Sequence, residues 1–316
     1  MDRAHGSPLV IDCDPGVDDA IALLMALAAP ELDLRGLTTV AGNVSLPEVN
    51  RNAARVLDLA GAPDDLPLVS GLDGPIARTR RVRDEPVHGE GGLGGVHLPP
   101  SKRRFHDAHA VDWLAAQALA EPGTLTLAAI GPLSNVAMMV RRHPEAAAAL
   151  REVVVMGGAA FVQGNTTPAA EFNFFADPEA ARLVVESGPA VRIVGLDVTR
   201  AALFPPQAAE RLASMSGAAG VAGRMLDDYG RRAQARSGLA GFPVHDALAV
   251  SAVSHPRLLG WEAGQATVEC AGTITCGALV ADLRSPGRPR NIRMACSVDA
   301  EGFAALLSER LSGYAR

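Results

Sequence analysis

The 316-residue sequence predicts an α/β fold, a single domain with a central, mostly parallel β-sheet flanked by helices. Three observations carry this. Short apolar runs alternate with longer amphipathic ones, the pattern of successive βαβ units. Proline and glycine stand at several of the joins between them. No break in composition, internal repeat or low-complexity tract divides positions 1–316.

Taken in order, Leu9–Cys13 reads as a buried strand and Val17–Ala29 as a helix after a Pro-Gly turn. Leu34–Val40 is the next strand. Pro47–Ala60 is a helix with proline at its start and Gly61 just past its end. Leu125–Ile130 and Val153–Met156 are strands around the helical segment Leu133–His143. Pro178–Ser187 is a helix leading into the strand Val191–Leu196. Ala263–Cys270, Gly272–Asp282 and Arg290–Ser297 read as further strands with room for a hairpin. The segment Gly71–Phe105 is different, rich in Gly, Pro, Arg and His. A loop that long in a compact domain points to function, and it is expected to line or cover the site.

Composition narrows the function. Hydrophobic residues at 48% and charged residues at 20% suit a soluble globular protein. Aromatics at 4% argue against base-stacking platforms, and a net charge of −6 argues against a phosphate-backbone partner. No nucleic-acid partner is expected, and the basic clusters Arg78–Arg83 and Lys102–Arg104 read as solvated loop charges. The longest apolar run, Ala20–Pro30, is too short to span a bilayer, and Met1–Pro8 lacks the apolar stretch of a signal peptide. A cytoplasmic protein with no membrane partner is the expectation. The four cysteines form no C-x-x-C pair, and Cys13 reads as a small core residue.

The sharpest feature is the run Asp12-Cys13-Asp14-Pro15-Gly16-Val17-Asp18-Asp19 at the end of the first strand. Ligands of open parallel sheets bind at the carboxyl ends of strands. Helix capping explains Asp18 or Asp19 alone, since negative charge is favoured in a first turn, but not Asp12 and Asp14 on an apolar strand. Crowded carboxylates call for a cation, and oxygen-only donors select Ca²⁺ or Mg²⁺ over zinc. A strand-end D-x-D also fits a metal-dependent phosphatase with an aspartyl nucleophile. That pattern continues Gly-Thr, whereas Pro15-Gly16 follows here.

From Asp12 to Ala20 the chain resembles the N-terminal signature of the inosine–uridine-preferring nucleoside hydrolase family. The resemblance continues in order. Ala41-Gly42-Asn43 follows the second strand, Val87-His88-Gly89 sits in the long loop, and Ile130-Gly131-Pro132-Leu133-Ser134-Asn135 follows a central strand. Gly164-Asn165-Thr166-Thr167-Pro168, Ala170-Glu171-Phe172-Asn173 and Val244-His245-Asp246-Ala247 complete it. It implies the nucleoside hydrolase fold, with a Rossmann-like core, and hydrolysis of ribonucleosides to ribose and free nucleobase. Asp14, Asp19 and Asp246 would bind Ca²⁺ with the Ile130 backbone carbonyl. Asp18, Asn43, Asn165, Glu171 and Asn173 would bind ribose. Asp14 would be the general base for a water that calcium orients and whose pKa it lowers. His245 and His88 are the candidates near the base, with His245 the leaving-group acid, and Tyr229 is placed to close over the base. A homodimer or homotetramer and a role in nucleoside salvage or catabolism are implied as well.

Two lures are refused. Gly89-Glu90-Gly91-Gly92-Leu93-Gly94 matches G-x-G-x-x-G, but no strand leads into it and Pro99-Pro100 cannot open a helix. Nor is there a G-x-S-x-G elbow. Ser134 and Thr166 depart mildly from the family pattern. Every residue required for chemistry is present, which leaves a non-catalytic ribose- or nucleoside-binding relative as the alternative to the enzyme. Base preference is not written in these motifs.

Overall fold

The computed structural model describes residues 6–79, 87–187, 190–284 and 290–315. Strand β1 (Ser7–Cys13) passes through Asp14-Pro15-Gly16 into helix α1 (Val17–Leu27), and β2 (Leu32–Thr39) is followed by α2 (Leu46–Leu59). The short β3 (Leu68–Ser70) precedes the long loop, which ends at α3 (Ala110–Ala120). Then come β4 (Thr126–Ala129), α4 (Ser134–Arg142), α5 (Pro144–Ala149), β5 (Glu152–Met156), α6 (Phe172–Ala176) and α7 (Pro178–Ser187). β6 (Val191–Val194) runs into the one-turn α8 (Leu196–Thr199). β7 (Leu203–Phe204), α9 (Pro206–Ala213), α10 (Gly217–Ser237), β8 (Phe242–Pro243) and α11 (His245–Ser254) follow. The chain closes with β9 (Leu259–Val268), β10 (Leu279–Asp282), β11 (Ile292–Val298) and α12 (Ala300–Ser312).

These strands form one sheet in the order β10-β9-β11-β6-β5-β4-β1-β2-β3, with β7 and β8 paired separately. Pairing is parallel from β3 across to β11, and antiparallel between β11 and β9 and between β9 and β10. Successive side chains of a strand face opposite ways, so each central strand feeds two cores. Ile11 and Val154 join the layer of α1, α10, α11 and α12, while Val10, Val153 and Val155 join the layer of α3, α4 and α7. Cys13 is a buried core residue, as its apolar neighbours predict. No helix among the described residues is long and apolar enough to cross a membrane.

Three expectations are corrected. The strand expected at Gly272–Asp282 shortens to β10, because residues 273–277 turn, with Gly277 at φ +85° and its N–H on Glu269 O (2.7 Å). The expected strand Ala263–Cys270 begins earlier, at Leu259, and forms the hairpin with β10. The basic clusters are not simply solvated. Arg103 donates to Asp58 (2.6 Å) and to the carbonyls of Pro63 and Ala62, and Arg78 is paired with Glu179 (2.8 Å). Arg80, Arg81 and Arg83 lie outside the described residues. Gly89–Gly94 forms turns, and no helix opens in the described residues that follow it up to Ala110, so the refused dinucleotide motif stays refused.

Candidate active site

The carboxyl ends of β1, β4 and β5 open onto a cavity of about 460 Å³. Its floor begins where β1 leaves the sheet. Asp19, in the first turn of α1, folds its carboxylate back onto the turn, accepting from Gly16 N (3.0 Å) and Asp14 N (3.1 Å). Gly16 is extended rather than left-handed, and its lack of a side chain is what matters. A Cβ there would lie 2.8 Å from Asn43 Nδ2 and 2.9 Å from the His88 ring. Asp14 Oδ2 accepts from Asn43 N (2.6 Å), and a Cβ on Gly42 would stand 2.0 Å from that oxygen. The chain therefore closes around Asp14 with glycines.

Asp12 departs from the rest of the acidic run. It stays in β1, fully buried, with Oδ1 accepting from Thr38 Oγ1 (2.5 Å) and Asn135 Nδ2 (2.8 Å) while Oδ2 has no hydrogen-bond partner. Burial pushes its pKa up to about 7, against the pull of Thr38 and Asn135.

Carboxylate oxygens of Asp18, Asp19 and Asp246 all lie within 4.8 Å of one another, and all three residues are buried. Asp246 comes from the first turn of α11, far along the chain. Burial raises its pKa well above the ordinary value, and repulsion from Asp18, Asp19, Asp14 and Glu171 adds to the rise. Burial likewise lifts Asp19 to about 6, although the N–H groups of Gly16 and Asp14 oppose the shift. Among the described residues no lysine or arginine pairs with Asp19 or Asp246. Buried like charges at this spacing hold together when a hard divalent cation joins them, and the donor set is all oxygen. The residues thus fit a calcium-type ion. The expected ligand set named Asp14 with Asp19 and Asp246. In the structure the mutual cluster holds Asp18 with Asp19 and Asp246, and the Asp14 carboxylate sits beside Gly42 and Gly131. Ile130 borders the cavity, and its carbonyl accepts from Asn173 Nδ2 (2.9 Å).

Amide and carboxylate side chains line the cavity. Glu171 caps the short α6, its oxygens accepting from Asn173 N (2.9 Å), Gly158 N (3.1 Å) and Phe174 N (3.3 Å). Asn165 Oδ1 accepts from Phe172 N (2.9 Å). Asn43, Asp18, Asn165, Glu171 and Asn173 all line the cavity. His88, Tyr229 and His245 line it as well. The His88 and Tyr229 rings stack at 5.1 Å and 10°. Val17 N donates to His88 Nδ1 (3.1 Å), so that nitrogen is an acceptor. Its 3.7 Å approach to Asp18 is for that reason not an ion pair through Nδ1. His245 Nδ1 lies 2.7 Å from Thr199 Oγ1. Val87 and His88 of the long loop line the cavity; residues 80–86 of that loop lie outside the described residues.

Arg200, Gln163 and Leu239 at this cavity, and Thr199 beside His245, were not among the expected site residues. None sits in a motif of reactive residue types. The departure at Ser134 keeps a hydroxyl function, since Ser134 Oγ donates to Asp177 (2.6 Å).

Comparison with known proteins agrees with this architecture. Residues 9–305 match the model of the family described as inosine-uridine preferring nucleoside hydrolase. The pyrimidine-specific ribonucleoside hydrolase RihB of Shigella sonnei is 38% identical over 311 residues, 97% of each chain. Among solved structures, a plant nucleoside hydrolase, the PpNRh1 enzyme, superposes with a TM-score of 0.91 at 32% identity, covering 96% of this chain and 98% of its own. The purine-preferring ribonucleoside hydrolase from Gardnerella vaginalis also gives 0.91, at 31% identity over 98% and 99%.

Proposed function

The chain belongs to the inosine-uridine preferring nucleoside hydrolase family and is a nucleoside hydrolase, and from that premise we propose that it cleaves the N-glycosidic bond of ribonucleosides by direct attack of a water at C1′. The observation that carries this reading is that the buried carboxylates of Asp18, Asp19 and Asp246 meet at a cavity also lined by amide side chains and two histidines. Asp14, Asp19, Asp246 and the Ile130 carbonyl would hold Ca²⁺. The carbonyl has a second lone pair beyond the one Asn173 engages. When bound, the cation lowers the pKa of water and offsets the repulsion among the carboxylates.

The remaining work falls to side chains. Asp18, Asn43, Asn165, Glu171 and Asn173 bind ribose hydroxyls and hold C1′ in place. Asp14, oriented by Asn43 N, takes a proton from the attacking water as the C1′–O bond forms and the C1′–N bond breaks. The sugar passes through an oxocarbenium-like state, which the nearby carboxylates favour. His245, steadied by Thr199, delivers a proton to the departing base. The Tyr229–His88 stack flanks that base.

The test is a comparison of inosine with 2′-deoxyinosine, in chelator-treated enzyme and after calcium is restored. Calcium is expected to restore base release. Deoxyinosine is expected to react about two orders of magnitude more slowly, or worse, because groups built for the missing hydroxyl are left unpaired. Equal rates on the two substrates would contradict the ribose geometry, and release indifferent to chelation would contradict the cation.

A further inference from the structure

Helix α8 and the residue just past it hold one neighbouring loop by its backbone. Its first N–H, on Leu196, donates to Gly158 O (2.9 Å). The Asp197 carboxylate accepts from Ala160 N (3.1 Å) and Phe161 N (2.7 Å). Just past the helix, Arg200 donates through Nη1 to Gln163 O (2.6 Å) and through Nη2 to Gly164 O (2.9 Å). Residues 159–168 have no helix or strand of their own. Within the stretch Gly164 N donates to Pro168 O (3.0 Å), and from outside one acidic and one basic side chain take N–H groups and carbonyls of residues 160–164. The stretch leads directly into Asn165. Two successive carbonyls suit a planar guanidinium, whose paired donors hold both at once, and a lysine ammonium lacks that fork. Hydrogen bonds from a charged donor are also the stronger kind.

We propose that Arg200 is a positioning residue. Acting with Asp197, it sets the backbone of residues 160–164 so that Asn165 meets the ribose. The inference rests on the reading of Asn165 as a ribose-binding residue. Arg200 also lines the cavity, so direct contact with substrate is the competing role, and the two differ in their coupling to Asn165.

A double-mutant cycle on kcat/KM for uridine or inosine separates them. Arg200→Ala is expected to lower kcat/KM about tenfold or more in the wild-type background, mainly through KM, and to change it less than about twofold in an Asn165→Ala background. Arg200→Lys should recover only part of the loss. Equal factors in both backgrounds would overturn the proposal in favour of direct contact, and no loss in the wild-type background would overturn it outright. Hydrogen exchange on the full chain gives a readout that needs no turnover. Amides of Ala160, Phe161 and Gly164 should exchange faster in Arg200→Ala and in Arg200→Gln, with the rest of the sheet unchanged. Unchanged exchange in folded variants would also overturn the proposal. A wild-type protein that releases no base would sink the hydrolase reading, while exchange would still decide the clamp.

Discussion

Asp12 and Asp14 stand two residues apart and meet opposite surroundings. Asp12 is held inside the sheet by Thr38 and Asn135, whereas Asp14 leaves the strand and meets Asn43 N at the edge of the site. Because the pKa of Asp12 is raised from 3.8 to about 7, the folded state binds a proton that the unfolded chain releases. The stability this contributes is complete below the unfolded value and is lost as pH rises through the folded one. Metal-free protein should accordingly melt at a higher temperature near about pH 5 than near about pH 8. Asp12→Asn should reduce that dependence, with Asp19 and Asp246, also raised by burial, carrying the remainder. Thermal melts of the two proteins across the range check it, and an unaltered slope would show that Asp12 is not the group responsible. At His245 the question is the proton. Replacement by alanine should slow inosine hydrolysis by about two to four orders of magnitude and leave a nitrophenyl riboside, whose leaving group needs no proton, nearly unaffected. Equal losses on both substrates would remove His245 from the acid role. The acidic run stood out by its residue types, whereas His245 and Asp246 were named only through the family resemblance. The separation of Asp12 from Asp14 was not legible, because it depends on where the strand ends. Arg200 and Thr199 were invisible because an Arg after a Thr carries no motif; only the fold brings them to the 160–164 stretch and to His245.

At the scale of elements, the turns that follow β1 and β2 shape the floor of the site. They pack against each other closely enough that Gly42 leaves no room for a methyl group beside Asp14 Oδ2. Gly42→Ala should therefore displace the Asp14 carboxylate. Activity is expected to fall by about two orders of magnitude while the far-ultraviolet circular dichroism stays native. Full activity in that variant would mean that Asp14 need not sit where the structure puts it. The β1–α1 and β2–α2 units were readable because long periodic segments with Pro and Gly at their ends leave few alternatives. The two-residue β7 and β8 carry no period at all, and β10 was overextended because Gly272–Gly277 mixes β-branched residues with turn glycines. The alanine-rich α3 shows little contrast between its faces, so it also escaped notice.

For the whole molecule, the sheet order decides which distant residues meet. β1, β4 and β5 lie side by side in the middle of the sheet, so Asp14, Ile130 and the segment that follows Met156 come out at one edge. Helix α11 then brings Asp246 over them from the far side of the sequence. The order of the motifs along the chain was enough to name the family. It was not enough to say which side chains would share one cluster, and Asp18 entered that cluster only with the structure in hand. Base preference belongs to this scale too, since the cavity lining draws on the long loop, α10 and the start of α11 as well as on the strand ends. The measurement that tests the central claim most directly is base release from inosine, uridine, cytidine and adenosine by the purified protein with calcium present, with Asp14→Ala beside it. The account predicts release from at least one of the four, lost by about two orders of magnitude or more in the variant, with the order of rates giving the base preference. No release from any of them by folded, calcium-loaded protein, or release that Asp14→Ala leaves intact, would contradict it.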